Sequence, residues 1–169
     1  KGDSIASYSP YLQWVIAVFM FLFGINFNIY YLLLVRRFRS VLKSTETWCY
    51  IAICLISVSI ITGNIYSIYG NLPDSVRASA FQVASLVTTT GFSTADFNLW
   101  PGLSKGILLI LMFIGGCAGS TAGGLKVSRV VMMIKMIRRE FMKMIHPRSV
   151  SAVRIEGKKV DDTTLNGVN

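Results

Sequence analysis

The chain has 169 residues, 53% of them apolar and only 15% charged, which is too apolar for an ordinary soluble domain of this length and points to a bilayer as its solvent. The formal net charge of +9 gathers at the ends of hydrophobic stretches without a recognised binding motif, so membrane lipid is the expected partner and nucleic acid is not. Cys49, Cys54 and Cys117 have neither metal-ligand nor Cys-x-x-Cys spacing and read as core or lipid-facing thiols, while His146, the single histidine, has no partners for a catalytic set, so no enzyme is expected.

Residues 10–35 and 47–73 carry no charged side chain, and each run exceeds the ~20 apolar residues that cross a hydrocarbon core. No signal-peptide pattern precedes Tyr11 and the chain opens without Met, so a segment of a larger subunit is expected. The first run is interrupted by Gly24, Asn26 and Asn28. Asparagine at that depth is costly unless it faces protein or water. Two accounts stay open: an interhelical hydrogen bond from Asn26 or Asn28 with Gly24 allowing close packing, or a pore-facing break. Arg36, Arg37, Arg39 and Lys43 come next in a linker to residue 46, and Lys135, Arg138, Arg139, Lys143 and Arg148 come after the last apolar stretch, which places both clusters on the cytoplasmic side.

The second span is expected over residues 48–70, with Trp48, Tyr50, Tyr66 and Tyr69 at headgroup level near its ends. Gly70 to Pro73 stops it, and Asp74 is placed to cap the next helix, residues 75–87. That helix is only ~20 Å long, so it must turn back inside the membrane as a re-entrant element. Its carboxyl end then offers partial negative charge to a cation. Thr88, Thr89, Thr90, Gly91 and Phe92, if extended, can turn successive carbonyls toward an axis and replace the hydration shell of an ion, with Gly91 free to adopt the necessary backbone angles. Asp96 either concentrates cations at an outer mouth or is a solvated loop carboxylate.

Residues 102–140 form a third apolar segment too long for one span, and five glycines within residues 115–124 make a continuous helix implausible. Two half-helices joined by an unwound loop are expected, the loop being tolerable only against protein or a water-filled cavity. Gly115, Gly116, Gly119, Ser120, Thr121, Gly123 and Gly124 make that loop polar and pliable, with small-residue helix packing as the competing account. Lys126, the first charge after Lys105, either faces the permeation path or snorkels to the inner surface. A phosphate cradle is excluded because no strand precedes the glycines and no Gly-Lys-Ser/Thr succeeds them. The remainder, residues 146–169, is polar and reads as a cytoplasmic connector, with a weak hairpin signal around Glu156 and Gly157.

Val87 to Phe92, together with the later run from Gly115 to Lys126, resembles the third repeat of the bacterial Trk/Ktr/HKT potassium transporter superfamily, most closely its TrkH-type membrane subunit. The resemblance implies an all-α membrane fold of the potassium-channel-like kind, in which four helix, pore-loop, helix repeats of one subunit surround a single pore. Residues 1–46 would then hold the last helix of the preceding repeat plus a linker, and residues 47–145 one whole repeat. Residues 88–92 would be one of four filter strands, with potassium bound by the carbonyls of Thr89, Thr90 and Gly91, and residues 115–124 an intramembrane gate. Asn26, Lys126 and Asp96 are the further candidates for facing the path. It also implies a multi-pass protein of the bacterial inner membrane, a homodimer, and a cytoplasmic nucleotide-binding ring as regulator, with potassium as the bound ion and no organic cofactor in this chain. The rival functions are a sodium or poorly selective transporter of the same superfamily, for which serine at position 91 would be the mark, and a non-conducting membrane scaffold.

Overall fold

The apolar run at the start of the chain folds as two helices, α1 (Pro10–Phe23) and α2 (Phe27–Leu34), which meet at 90°. The cause is local. Gly24 ends α1, and Asn26 adopts extended backbone angles while its side-chain oxygen accepts a 2.9 Å hydrogen bond from Asn28 N–H, starting a new helix. The computed structural model describes residues 5–145 and the short stretches 154–155 and 158–159.

A single turn of helix, α3 (Phe38–Leu42), lies within the basic linker and leads into α4 (Thr45–Tyr69). Ser44 starts α4 through its hydroxyl, and Gly70 ends it in the left-handed region at φ 66°. The 25 residues of α4 make it the one described helix long and apolar enough to cross a bilayer by itself; α1 and α2 pass that test only together. Its outward face carries exposed Leu55, Ile56 and Ile60, as a lipid-facing helix requires.

Next comes α5 (Leu72–Val87), then a 3₁₀ turn at Phe97–Leu99, α6 (Gly102–Phe113) and α7 (Val127–Ile145). In the tail, β1 (Arg154–Ile155) pairs antiparallel with β2 (Lys158–Lys159). His146 and the rest of the connector lie outside the described residues.

The centre of the structure is α5, which packs against α1, α4 and α6. Phe81, Val83 and Val87 of α5 are buried, as are Ile61 and Ile65 of α4 and Leu108 and Leu111 of α6. Polar pairs fix the register between these helices: Thr62 and Ser79 hydroxyls lie 2.6 Å apart, and Ser104 donates to Asn64 Oδ1 at 2.8 Å. In an apolar surrounding such bonds have no water competing for them.

Three local expectations are corrected. Asp74 does not cap α5: the helix begins at Leu72 after Asn71, and Asp74 sits in its first turn, paired with Arg77 at 2.8 Å. Proline tolerates that first turn because its missing N–H would have had no helical partner there, so the helix starts before the acid. Tyr50 does not sit at a headgroup belt. It is fully buried, its ring stacked on Phe21 at 5.2 Å and its hydroxyl donating to the Phe21 carbonyl at 3.0 Å. Glu46 belongs to the first turn of α4 and not to the linker.

Candidate functional site

The site is assembled where two interrupted helices and the end of α5 come together. Thr88 closes α5 and Thr89 takes a left-handed conformation at φ 55°, so residues 88–89 form a turn. The expectation of an extended run from Thr88 is corrected accordingly. The reason lies in the helix end itself, whose free carbonyls recapture the next amides: Thr88 N–H donates to Ala84 O and Thr90 N–H to Ser85 O at 2.9 Å.

Side chains reinforce that fold-back. The Thr88 hydroxyl donates to Ala84 O at 2.6 Å and lies 2.8 Å from the Thr90 hydroxyl, while the Thr89 hydroxyl donates to Thr88 O at 2.7 Å. Ser85, fully buried, donates its hydroxyl to the carbonyl of Phe92 at 2.6 Å. The Phe92 carbonyl is thereby held back toward the helix. Among the described residues, the carbonyls of Thr89, Thr90 and Gly91 accept no hydrogen bond. Gly91 has φ 78° and is exposed, with open space where a side chain would begin.

Against this turn lies the segment between α6 and α7. Its two ends pair as a short parallel bridge between Ile114 and Leu125, with Gly115 N–H donating to Leu125 O at 2.8 Å and Leu125 N–H to Phe113 O at 3.0 Å. This approach demands glycine: a methyl on Gly115 would stand 1.8 Å from Gly123 O. The top of the loop reaches residues 88–92, because Gly123 N–H donates to the Thr89 hydroxyl at 2.8 Å. One side chain therefore bonds both the candidate filter and the loop beside it.

The break between α1 and α2 supplies the loop's other partners. Gly24 O accepts from Cys117 N–H at 2.9 Å, Phe23 O accepts from Thr121 N–H and from the Thr121 hydroxyl, and Gly119 O accepts from Phe27 N–H at 3.2 Å. Two unwound segments satisfy each other's backbone, which is the condition for unwound chain at membrane depth. Gly24 also leaves room for Tyr50, since a methyl there would lie 2.1 Å from the Tyr50 hydroxyl oxygen. Ser120 closes the tip by donating to Cys117 O at 2.6 Å.

The other candidates lie around this core. Asn26 caps α2 and lies against Gly119, so it touches the loop through the break. The Lys126 ammonium donates to the carbonyl of Ala122, within the loop. Asp96 is exposed and caps the 3₁₀ turn, accepting from Asn98 N–H at 3.0 Å; it does not approach Thr89 to Gly91 through any hydrogen bond among the described residues.

Two residues were missed at the level of sequence. Ser85 belongs to a stripe with Ser75, Ser79 and Gln82 along one face of α5, all buried. That helical spacing of small polar residues was the available signal. Glu46 accepts from Ala118 N–H of the loop at 2.6 Å and from Ser128 N–H of α7 at 3.2 Å. It is the one carboxylate between Asp3 and Asp74, and that isolation beside a basic cluster was its only mark.

Known proteins give this geometry its context. The chain is 34% identical over 163 residues to the Trk system potassium uptake protein TrkH of Salmonella typhimurium, covering 95% of this chain and 34% of that protein. It is 45% identical over 93 residues to TrkH of Halomonas elongata, covering 55% of this chain and 19% of that one. The crystal structure of the potassium transporter TrkH from Vibrio parahaemolyticus superposes with a TM-score of 0.89 at 28% identity, covering 98% of this chain and 37% of its own. The chain thus spans about a third of the length of these full-length relatives. The family model described as TrkH, cation transport protein, matches residues 1–168, and the chain belongs to that family, one of transporters and not of enzymes.

Proposed function

We propose that this chain is one pore repeat, with the end of the repeat before it, of a potassium-translocating subunit. Thr88 to Phe92 supply one of four filter strands and residues 115–124 an intramembrane gate. The observation that carries the reading is the hydrogen bond from Gly123 N–H to the Thr89 hydroxyl, which seats the loop against the turn whose carbonyls, from Thr89 to Gly91, accept no hydrogen bond among the described residues. Potassium is the ion that the relatives' names specify. Unpartnered carbonyls at the carboxyl end of a helix suit a dehydrated monovalent cation, because the helix end adds partial negative charge without a full carboxylate that would bind the ion too tightly to release.

Glycine at position 91 favours potassium over the sodium reading, since it leaves the strand unobstructed. On the same reading the subunit is a multi-pass protein of the bacterial inner membrane, functions as a homodimer with its other repeats completing the filter, and is regulated by a cytoplasmic nucleotide-binding ring. The basic residues just after α2 and those within α7 then lie on the cytoplasmic side.

The loop gives the test. Removing residues 118–120 from the full-length subunit should raise potassium flux several-fold in proteoliposomes while changing potassium over sodium selectivity by less than about twofold, because Ser85 and not the loop holds the strand's outer carbonyl. Unchanged flux through a well-folded deletion would assign residues 115–124 to packing.

A further inference from the structure

We propose that Glu46 is the clasp that keeps the glycine-rich loop seated, tying it to α7, the helix that leaves the loop, through a single carboxylate oxygen. This deepens the gate reading and rests on it. Oε1 of Glu46 accepts from Ala118 N–H at 2.6 Å and from Ser128 N–H at 3.2 Å. Ala118 is in the middle of the loop, and Ser128 is in the first turn of α7, where an amide has no helical partner. Glu46 itself is rooted in the first turn of α4, next to the buried hydroxyl pair of Ser44 and Thr47, 3.0 Å apart.

Three elements therefore meet at one atom: an outer helix, the loop and the helix leaving it. Both bonds are charge-assisted, and the positive end of α7 adds to the second. Among the described residues, no cation pairs with this carboxylate, so its charge is spent on the two amides. A second link makes the joint stiff, as Val127 N–H donates to Gly116 O at 3.2 Å. Displacement of α7 relative to α4 pulls Ser128 from Oε1 and weakens the hold on Ala118. The loop then loses this tether and keeps the one to Thr89. The filter strand stays in place, because α5 retains it through Ser85. Glu46 is thus a positioning residue for the gate and not an ion ligand.

The test is flux and selectivity of the full-length subunit in proteoliposomes, with Glu46→Ala and Glu46→Gln each made in the intact and in the 118–120-deleted protein. Loss of both bonds should raise the flux of Glu46→Ala by about tenfold with selectivity unchanged. Glu46→Gln keeps an acceptor oxygen but not the charge and should fall between it and the parent. Neither variant should add flux where residues 118–120 are already gone. Wild-type flux in Glu46→Ala, or an equal increase in the deleted protein, overturns the clasp. Should Glu46→Ala not fold, wild-type flux in Glu46→Gln overturns it instead. Raised flux on deletion with no effect of either substitution condemns the clasp alone, whereas a deletion without effect condemns the gate reading beneath it.

Discussion

Gly91→Ser in the full-length subunit should lower discrimination of potassium over sodium by about tenfold, equivalent to about 1.4 kcal/mol between the two ions. Gly91 sits at φ 78°, where a side chain strains the backbone. The variant relieves that strain by rotating toward negative φ, and the neighbouring carbonyls rotate with it. A hydroxyl arrives in the open space beside them. Both changes alter the ligand cage that favours potassium. Folding should suffer little, on the order of 1 kcal/mol, because nothing lies within 4 Å of the added Cβ. Competitive uptake of the two ions by cells holding equal amounts of each protein measures the effect. Unaltered selectivity at wild-type abundance would remove Gly91 from the filter.

Gly115→Ala should act in the opposite manner, lowering the stability and not the selectivity. Its new methyl would stand 1.8 Å from the carbonyl oxygen of Gly123 and 3.0 Å from that residue's carbonyl carbon. Both are backbone atoms, so no rotamer change relieves the clash. The pairing of Gly115 N–H with Leu125 O and of Leu125 N–H with Phe113 O must open, exposing buried polar groups in an apolar surrounding. The cost is about 3 kcal/mol or more. Gly63→Ala is the control, since Gly63 lies within α4 with nothing near its Cβ, and there alanine gains up to about 1 kcal/mol. Thermal unfolding in detergent should show Gly63→Ala at or above the parent and Gly115→Ala far below it. Equal midpoints would mean that the loop does not pack against Gly123 in this way.

What was legible in the sequence was whatever a lipid environment makes expensive. Asn26 beside Gly24 inside an apolar run left a packed helix and a break both open, and five glycines inside another pointed to an unwound loop with helix packing as the rival; the helices stop at Phe23 and Phe113. That these two interruptions repair each other was not legible. The bonds from Cys117 to Gly24 and from Phe27 to Gly119 use backbone atoms, which carry no residue-type signal. Tyr50 was misplaced because a tyrosine near a helix end looks the same whether its hydroxyl meets a headgroup or a broken helix's carbonyl. Thr89 showed its residue type but not its left-handed turn, which the capture of Thr90 by Ser85 imposes.

The measurement that bears most directly on the central claim is the anomalous scattering of thallium, which replaces potassium at carbonyl sites, in crystals of the full-length subunit. The account predicts a peak in contact with the carbonyls of Thr89, Thr90 and Gly91, which accept no hydrogen bond among the described residues, and none in contact with Asp96. Thallium bound elsewhere in the protein, with those three carbonyls unoccupied, would contradict it.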